Sequence, residues 1–501
     1  MKLTNIFLTL LAASLSWGCF EDESSEAFQE KLNIRVEGVD KNIRVNTSET
    51  LKLTPKVLPE GRDYSCFWGI AKKDNQWAVI DTLCHEKDLD FKVNLKTGGY
   101  VLRFYAEDRE TGIFSFTEYN LSVETDMAVG WWMLKDKGNE TDIDLFTPDK
   151  KKENVIATVN GRALQGQPVD MTFTPNYWVY DEKSEKDLAT NAVFVASGND
   201  VVCLDYFTGG FLSEYDKLFF DAPAKTKVDY LFKGVSDTHV VIDNVIYTMP
   251  NMKYDHYRQF AIKHTGDYQI SRQRCANGWG YPYLFDDKTS SFCTLSRNSL
   301  ELDYLGKNGA NPHRDLNMDM VFMGGKTPSS SPYNPGMDAM AILKQKNENK
   351  YYLAHLTGNL TIGKSPMKEA MKEIPANYEV LKADVKALNQ DNDMIYFFKE
   401  NQLWAYDCTL NTEKSEDFTI PADEKVTYME YTKYTPWGQE PNHFKYMIIA
   451  TEKGGNYKVT LHSLQAGHLL PAEKVMEGKG KVTRAIYMDL KEGFVNTSTY
   501  F

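Results

Sequence analysis

Apolar and polar residues alternate with a period of two along the early part of this chain. From Leu32 to Val36, apolar side chains occupy every second position, and similar short apolar runs recur up to Val123 with turn residues between them. A period of two is the signature of a β-strand with one buried face. About seven short strands of this kind predict a β-sandwich over residues 32–125, with Trp68 in the centre of its core.

From Gly130 onward a different unit repeats, made of an apolar strand, a short polar turn and a second apolar strand. Residues 393–407 show it most clearly as DMIYFF, the turn KENQ and LWAYD. Successive copies start roughly 40–60 residues apart, which is the spacing of propeller blades. We therefore predict a β-propeller of about seven blades over residues 126–501, and an irregular β-sandwich or two β domains as the alternative. The seven predicted hairpins are Trp131–Phe146, Ala192–Phe207, Val240–Thr248, Tyr281–Leu295, Ala339–Leu353, Met394–Tyr406 and Tyr446–Leu464.

Two further elements are expected in this second region. Ser365 and Pro366 stand where a helix cap and a first helical residue belong, so they predict a helix over Met367–Ile374. The late β-type run Val482–Met488 is expected to pair near Trp131–Leu134, because a ring of blades must join its last blade to its first.

The first nineteen residues have the pattern of an export signal. A basic Lys2 precedes the apolar run Ile6–Leu15, which predicts a secretory signal over residues 1–18 and is shorter than the roughly 20 residues of a membrane-spanning helix. Cys19 directly after Gly18 makes the segment similar to a bacterial lipoprotein signal, although Trp17 departs from the usual small residue. That resemblance implies that Cys19 carries a lipid such as palmitate. The alternative is an ordinary cleaved signal followed by an unimportant cysteine.

The segment after Cys19 indicates where the chain is displayed. Residues 19–31 are polar and acidic, and we expect a flexible tether. This tether resembles the export tag of lipoproteins on the outer face of the outer membrane, so the expected location is the outer membrane, lipid-anchored and facing the cell exterior. The net charge of −13 argues against nucleic acid as a partner, because nucleic-acid binding needs a basic surface.

Six cysteines remain beyond Cys19, and their state is left open by the sequence. Cys66 with Cys84, and Cys275 with Cys293, are near enough in sequence to lie in neighbouring strands. An exported chain retains disulfides, but buried free thiols that act as small apolar residues are the equal alternative. No pair has the spacing of a zinc or redox site.

Two stretches of the sandwich resemble a known domain type. Residues 98–108, GGYVLRFYAED, are similar to the strand pair of polycystic-kidney-disease (PKD) domains, and Tyr64–Trp68 is similar to their aromatic-Trp strand. The usual acidic turn after that Trp is absent, since Gly69 and Ile70 follow. The departure is typical of PKD-like lipoproteins encoded beside SusC/SusD-type uptake systems. The resemblance implies two partners, a TonB-dependent outer-membrane transporter and its SusD-like lipoprotein.

Common catalytic signatures are missing from the sequence. It contains no nucleophile elbow, no paired zinc-binding histidines and no phosphate-binding loop, so we predict no catalytic residue, metal ligand or cofactor. His256 and His443 have aromatic neighbours but stand alone, which is typical of structural histidines. Propeller glycosidases place two acids across a central funnel, yet acids at hairpin ends usually form turns. The acids in or near the hairpins are Asp181, Asp205, Asp243, Asp286 and Asp407.

Aromatic residues in loops bounded by Pro and Gly are the better candidates for function. Trp279 and Tyr281 lie in one such loop, Tyr333 in a second and Trp437 in a third. We predict that these four residues bind a glycan, a peptide or a protein partner, because rigid rings with polar tips suit such ligands. The equal alternative is that they pack over the ends of the blades.

These observations lead to two functional hypotheses. The first is a non-enzymatic accessory subunit of an outer-membrane nutrient-uptake system, which binds a ligand or docks on the transporter. The alternative is a surface glycoside hydrolase or lyase with carboxylates in the propeller funnel. Two or three carboxylates clustered in the central channel favour the enzyme, whereas a neutral or apolar channel favours binding.

Overall fold

The chain folds into an all-β protein with two compact units, Met1–Glu124 and Thr125–Phe501. No helix among the residues that the structure describes is long and apolar enough to cross a bilayer. The computed structural model describes residues 32–47, 49–73, 80–127, 129–181, 186–233, 237–250, 259–275, 282–295, 299–306, 311–326, 338–358, 365–389, 391–434 and 444–489.

The first unit consists of one five-stranded sheet and two short ladders. The sheet has the order β2-β9-β8-β5-β6, in which β2 runs parallel to β9, while β1 pairs with β4 and β3 with β7. The strands are β1 Arg35–Glu37, β2 Asn42–Asn46, β3 Thr50–Leu53, β4 Lys56–Leu58, β5 Tyr64–Lys72, β6 Asp81–Cys84, β7 Leu89–Lys92, β8 Gly98–Asp108 and β9 Phe114–Glu124.

The core of the first unit lies between this sheet and the ladders. Alternate residues of β8 are buried, from Tyr100 to Asp108, as the period of two predicts. Trp68 is fully buried, and its Nε1–H donates to the carbonyl oxygen of Lys87 at 2.9 Å. The predicted position of Trp68 in the core is therefore confirmed.

Among the described residues, the second unit contains seven antiparallel sheets of three or more strands, which we number 1 to 7 in chain order. Each has three to five strands, and none of the described sheets closes on itself. Sheet 1 comprises β10 Val129–Asp136, β11 Glu140–Phe146, β12 Lys151–Lys152, β13 Leu164–Gln165 and β39 Lys481–Asp489; sheet 2 comprises β14 Pro168–Asp181, β15 Lys186–Ser197, β16 Asp200–Asp205 and β17 Phe211–Ser213; sheet 3 comprises β18 Val228–Lys233, β19 Thr238–Ile242, β20 Val245–Met249 and β21 Ile262–Lys263; sheet 4 comprises β22 Leu284–Asp286, β23 Ser291–Leu295 and β24 Leu302–Asp303.

In sheets 5 and 6 each strand pairs with the next, and sheet 7 differs only in that β35 pairs with β38. Two short helices, α1 Val155–Asn160 and α2 Tyr215–Leu218, connect strands of the earlier sheets. Sheet 5 comprises β25 Met318–Gly325, β26 Ala339–Gln345, β27 Tyr351–Leu356 and β28 Lys372–Ile374; sheet 6 comprises β29 Lys386–Leu388, β30 Met394–Lys399, β31 Gln402–Asp407 and β32 Thr412–Thr419; sheet 7 comprises β33 Lys425–Tyr434, β34 Phe444–Lys453, β35 Asn456–His462 and β38 Lys474–Lys479, and the ladder β36 Leu464–Gln465 with β37 His468–Leu469 stands apart.

All seven predicted hairpins are present as antiparallel strand pairs, one in each sheet. The helix predicted over Met367–Ile374 is wrong. Met367 forms a bridge with Leu356, and Lys372–Ile374 pairs with β27. Ser365 does accept the N–H of Met367, as a cap would. The chain then follows the open edge of β27, because pairing there satisfies backbone groups on both segments.

Apolar clusters join the sheets in a closed series. Among the described residues, six clusters each combine side chains of two consecutive sheets, from sheets 1 and 2 through sheets 6 and 7. A seventh combines sheet 7 with sheet 1, through residues such as Tyr457 and Val459 on β35 and Trp131 on β10. Every sheet therefore buries both faces against its two neighbours.

The C-terminal strand β39 belongs to the first sheet of this series. It pairs antiparallel with β10, with Tyr487 opposite Trp131 and Arg484 opposite Leu134. The pairing predicted from the pattern of residues 482–488 is thus confirmed. β39 also supplies apolar side chains to two clusters, Ile486 to that between sheets 1 and 2 and Val482 to that between sheets 7 and 1.

A buried polar network crosses the contact between sheets 7 and 1. Lys135 Nζ lies 2.6 Å from Asp144 Oδ1, and both side chains are buried. Tyr457 OH donates to Asp144 Oδ2 at 2.6 Å, and the N–H of Asn154 donates to Oδ1. Because each charge has a partner, the network avoids the large cost of an isolated buried ion.

The six described cysteines are free thiols, so neither open disulfide pairing occurs. Cys84 lies opposite Trp68, while Cys293 lies opposite Leu284 and Cys275 opposite Tyr283. All except Cys84 are buried. Burial raises the pKa of Cys275 to about 12, which keeps this thiol protonated and unreactive.

Candidate functional site

A cavity lies where the leading strands of the seven sheets approach one another. Its main part has a volume of about 610 Å³ and an adjoining part about 200 Å³, and both are lined by Arg274 and Arg484. We call the two parts together the central cavity. Each sheet contributes one strand, or the segment that leads into it, to the wall of this cavity. One lining residue for each of sheets 1 to 7, in that order, is Arg484, Asp170, Lys233, Arg274, Gly324, Lys386 and Glu430.

Arg274 is held rigidly in the wall of this cavity. Its Nη1–H donates to the carbonyl oxygen of Arg272 at 2.8 Å and its Nη2–H to that of Leu231 at 2.9 Å, while Nη2 lies 3.2 Å from Asp170 Oδ2. The guanidinium also lies 5.1 Å and 5.0 Å from the ring centroids of Tyr230 and Phe232. Backbone acceptors, a carboxylate and aromatic rings together fix its orientation.

Arg484 bridges the two carboxylates of the cavity. Its Nε lies 3.5 Å from Asp170 Oδ1, and its Nη1–H donates to Glu430 Oε2 at 3.2 Å. Tyr428 donates its hydroxyl hydrogen to the same oxygen of Glu430. Asp170 also accepts the N–H of Met171 at 2.8 Å. Both carboxylates are thus engaged with cationic or hydroxyl donors.

The charged groups of the cavity are poorly solvated, which shifts several pKa values toward neutral pH. Burial, with the nearby Asp170, raises the pKa of Glu430 from 4.5 to about 7, although Arg484 opposes the shift. Burial lowers the pKa of Lys233 to about 7 and that of Lys386 to about 8. Lys233 Nζ donates to the carbonyl oxygen of Phe173 at 2.6 Å.

The raised pKa of Glu430 predicts a pH-dependent stability. Between about pH 4.5 and 7 the unfolded chain ionises Glu430 while the folded chain retains its proton, so the unfolded state binds fewer protons and stability falls as pH rises. Glu430→Gln removes this dependence. We expect the free energy of unfolding of the variant, relative to wild type, to rise by on the order of 3 kcal/mol across that window.

Chemical denaturation at a series of pH values measures this difference. Glu477→Gln on β38 of the same sheet is the matched control, because Glu477 is exposed. A difference between Glu430→Gln and wild type that stays constant from pH 4.5 to 7 contradicts a desolvated Glu430.

The site residues predicted from sequence lie outside the described residues. This holds for Trp279, Tyr281, Tyr333 and Trp437, for the lipid-bearing Cys19, and for His256 and His443. Their roles stay predictions. Among the described residues no group of His, Cys, Asp and Glu has the arrangement of a metal site.

Three of the hairpin acids form turns, as their position predicts. Asp205 accepts the N–H groups of Phe207 and Thr208, and Asp286 accepts that of Lys288. Asp407 accepts the N–H groups of Thr409 and Leu410. These carboxylates hold backbone turns at the edges of their sheets and are not part of the central cavity.

Sequence reasoning missed the charged residues of the central cavity. Asp170, Glu430 and Arg484 lie on three different sheets and Arg274 on the segment before β22, and no local spacing relates them. One signal was present: Glu430 and Arg484 each interrupt an apolar strand, TYMEYT and VTRAIY. A charge within a strand that is otherwise apolar indicates a buried partner.

A comparison with protein families identifies the N-terminal part of the chain. Residues 19–168 match the model of the PKD-like family. The matched segment includes the whole described first unit and extends through most of sheet 1. The PKD-like domain expected from residues 64–68 and 98–108 is therefore supported. No curated protein matches the chain.

Three solved structures that match the chain are distantly similar to it. A quinoprotein alcohol dehydrogenase-like protein from Bacteroides thetaiotaomicron is 10% identical, with a TM-score of 0.40 over 89% of this chain and 96% of its own. The dihydro-heme d1 dehydrogenase NirN is 11% identical, with a TM-score of 0.38 over 72% and 76%. Hsv2 from Kluyveromyces lactis is 9% identical, with a TM-score of 0.31 over 72% and 95%. These TM-scores are too low to support a conclusion about this chain.

Proposed function

We propose that residues 125–501 form a seven-bladed β-propeller that binds a ligand in its central cavity. Seven consecutive sheets that pack in a closed series, with the last strand of the chain in the first sheet, support this architecture. Propellers of four to eight blades arrange four-stranded sheets around a central channel in this way. A cavity of about 610 Å³ is within the size range of small-ligand sites.

The chain serves, in this proposal, as a non-enzymatic accessory subunit of an outer-membrane nutrient-uptake system. The observation that carries the binding role is the engagement of Asp170 and Glu430 by arginine. The oxygens of such a carboxylate already accept hydrogen bonds from the guanidinium. The carboxylate therefore positions the arginine, and the arginine is the group that binds the ligand. The lipid anchor at Cys19, the location on the cell exterior and the two partner proteins rest on the resemblance to PKD-like lipoproteins.

Co-purification from membranes tests the accessory role. A tagged full chain, solubilised in mild detergent, is expected to retain a TonB-dependent transporter and a SusD-like lipoprotein, identified by mass spectrometry and confirmed by a reciprocal pull-down. The control is residues 1–31 fused to an unrelated protein, which shares the signal and tether alone. Equal recovery of both partners with the control contradicts docking by the folded units.

A hydrolase is the second candidate, and one observation favours it. Glu430, with a pKa of about 7, is able to hold a proton near neutral pH, and Asp170 shares the guanidinium of Arg484 with it. Glycosidases use two carboxyl groups roughly 5–10 Å apart, one of them with a raised pKa. Release of reducing ends from a bacterial or plant polysaccharide, abolished by Glu430→Gln, would replace the binding proposal with this one.

A further inference from the structure

From the chemistry of the central cavity we infer that its ligand is an acidic sugar, whose carboxylate or sulfate group binds between Arg274 and Arg484. This inference rests on the proposed ligand-binding function and names the class of ligand. It depends on four features of the wall: its charge, its unused hydrogen-bond donors, its rigidity and its apolar surface.

The charge of the wall is opposite to that of the whole chain. Three carboxylates and six basic side chains line the cavity, although the chain carries a formal net charge of −13. Lys227 forms an ion pair with Asp229, and Arg272 is exposed. Apart from these three, the lining has four basic side chains and two acidic ones, namely Lys233, Arg274, Lys386 and Arg484 with Asp170 and Glu430.

Two of these basic side chains lie in surroundings that disfavour their charge. Burial lowers the pKa of both Lys233 and Lys386, and this effect exceeds the opposing attraction of Asp237 and Asp384. An anion in the cavity reverses this effect by Coulomb attraction, and the low local dielectric strengthens it. A neutral ligand provides no such compensation.

Two buried donors of the wall have no acceptor among the described residues. They are the Nε–H of Arg274 and the hydroxyl of Thr483, and both residues line the main part of the cavity. A buried donor without a partner costs free energy, so such groups are usually satisfied by a ligand or by water. An oxyanion with several acceptor oxygens matches these donors.

The guanidinium of Arg274 is preorganised for an anion. Its contacts with Leu231, Arg272 and Asp170 fix the plane of the group before any ligand arrives. Binding therefore costs little side-chain entropy, and the Nε–H of Arg274, which these contacts leave unused, is a charged donor for an oxygen of a carboxylate or a sulfate. The ring of Tyr230, which is only partly buried, adds apolar surface to the same wall, and such a surface suits the carbon skeleton of a sugar.

Calorimetric titration of the full chain at neutral pH and low salt tests the inference. The probes are a disaccharide of galacturonic acid, the neutral disaccharide of galactose, and inorganic sulfate. We expect the acidic disaccharide to bind at least about tenfold more tightly than the neutral one. The neutral disaccharide has no carboxylate and therefore cannot accept a charge-assisted hydrogen bond from the arginines. Tight binding of sulfate alone supports the anion site but replaces the sugar by a free anion.

Variants locate the binding. Thr483→Val keeps the side-chain volume and removes one orphan hydroxyl, so the protein folds and its affinity for the acidic disaccharide falls about threefold to tenfold. Arg274→Gln lowers the affinity further, and Arg44→Gln in the first unit, an exposed residue, leaves it unchanged. Equal affinity of wild type and both cavity variants overturns the inference.

The failure of the inference and of the proposed function are distinguishable. Preference for the neutral disaccharide, lost in Arg274→Gln, overturns the acidic-sugar inference and leaves ligand binding in the cavity intact. Absence of binding to all three probes also overturns it, while recovery of the transporter with the full chain keeps the accessory role. If none of the three probes binds and the transporter is not recovered with the full chain, both the acidic-sugar inference and the accessory role are overturned.

Discussion

Removal of residues 481–501 is expected to abolish the native structure of the second unit. This deletion takes away β39, and with it the pairing to β10 and the apolar side chains of Val482, Ile486 and Met488. Sheet 1 then loses contacts on both of its faces, and β10 presents an unpaired edge that favours aggregation. Because sheet 1 packs against sheet 2 on one face and sheet 7 on the other, this loss exposes apolar surface on three sheets.

The control for this deletion removes only residues 490–501, which follow β39 in the chain. We expect the shorter deletion to give a soluble protein with wild-type near-ultraviolet circular dichroism, whereas the longer one aggregates or lacks the signal. Size-exclusion chromatography with the same spectra compares the two. A soluble 1–480 chain with a native spectrum and a sharp melting transition contradicts the closed series of sheets.

Asp144→Ala is expected to destabilise the second unit by about 3–5 kcal/mol, the cost of removing one partner from a buried ion pair. The change leaves the ammonium group of Lys135 buried without its carboxylate, and it also deprives Tyr457 OH and the N–H of Asn154 of their acceptor. Denaturant unfolding of the full chain, followed by tryptophan fluorescence, measures the loss.

Two comparisons make this test specific to the buried network. The double variant Lys135→Met, Asp144→Leu removes both charges and recovers part of the stability, because no uncompensated charge is left buried. The remaining loss is that of the acceptor for Tyr457 OH and the N–H of Asn154. Glu153→Ala breaks the partly exposed pair with Lys151 and costs less than about 1 kcal/mol. A loss for Asp144→Ala no larger than that for Glu153→Ala contradicts the role of Asp144 at the seam between sheets 7 and 1.

Local sequence patterns predicted the strands of this protein well, because strand formation depends on a period that is visible within a few residues. Trp68 is buried as expected, each of the seven hairpins is present, and residues 482–488 pair where a closing strand must pair. The helix at Met367–Ile374 failed because capping residues report only local preference. A free edge on β27 offered the same backbone a better set of partners.

The central cavity lay beyond local pattern for a different reason. Asp170 and Arg484 are in contact although more than three hundred positions separate them, and only the order in which the sheets pack brings them together. Aromatic residues in Pro- and Gly-bounded loops were visible locally, and Trp279, Tyr281, Tyr333 and Trp437 remain predicted binding residues. Binding residues are often on loops, so loop aromatics are a reasonable prediction from sequence. In this fold, however, a cavity also forms where strands of different sheets approach one another.

A structure of the full chain in complex with the galacturonic acid disaccharide shows where the ligand binds. We expect one ligand in the central cavity, with carboxylate oxygens within hydrogen-bond distance of Arg274 and Arg484 and with an oxygen next to Thr483. Bound ligand at the loops that carry Trp279, Tyr333 or Trp437, with the central cavity filled only by solvent, would contradict it.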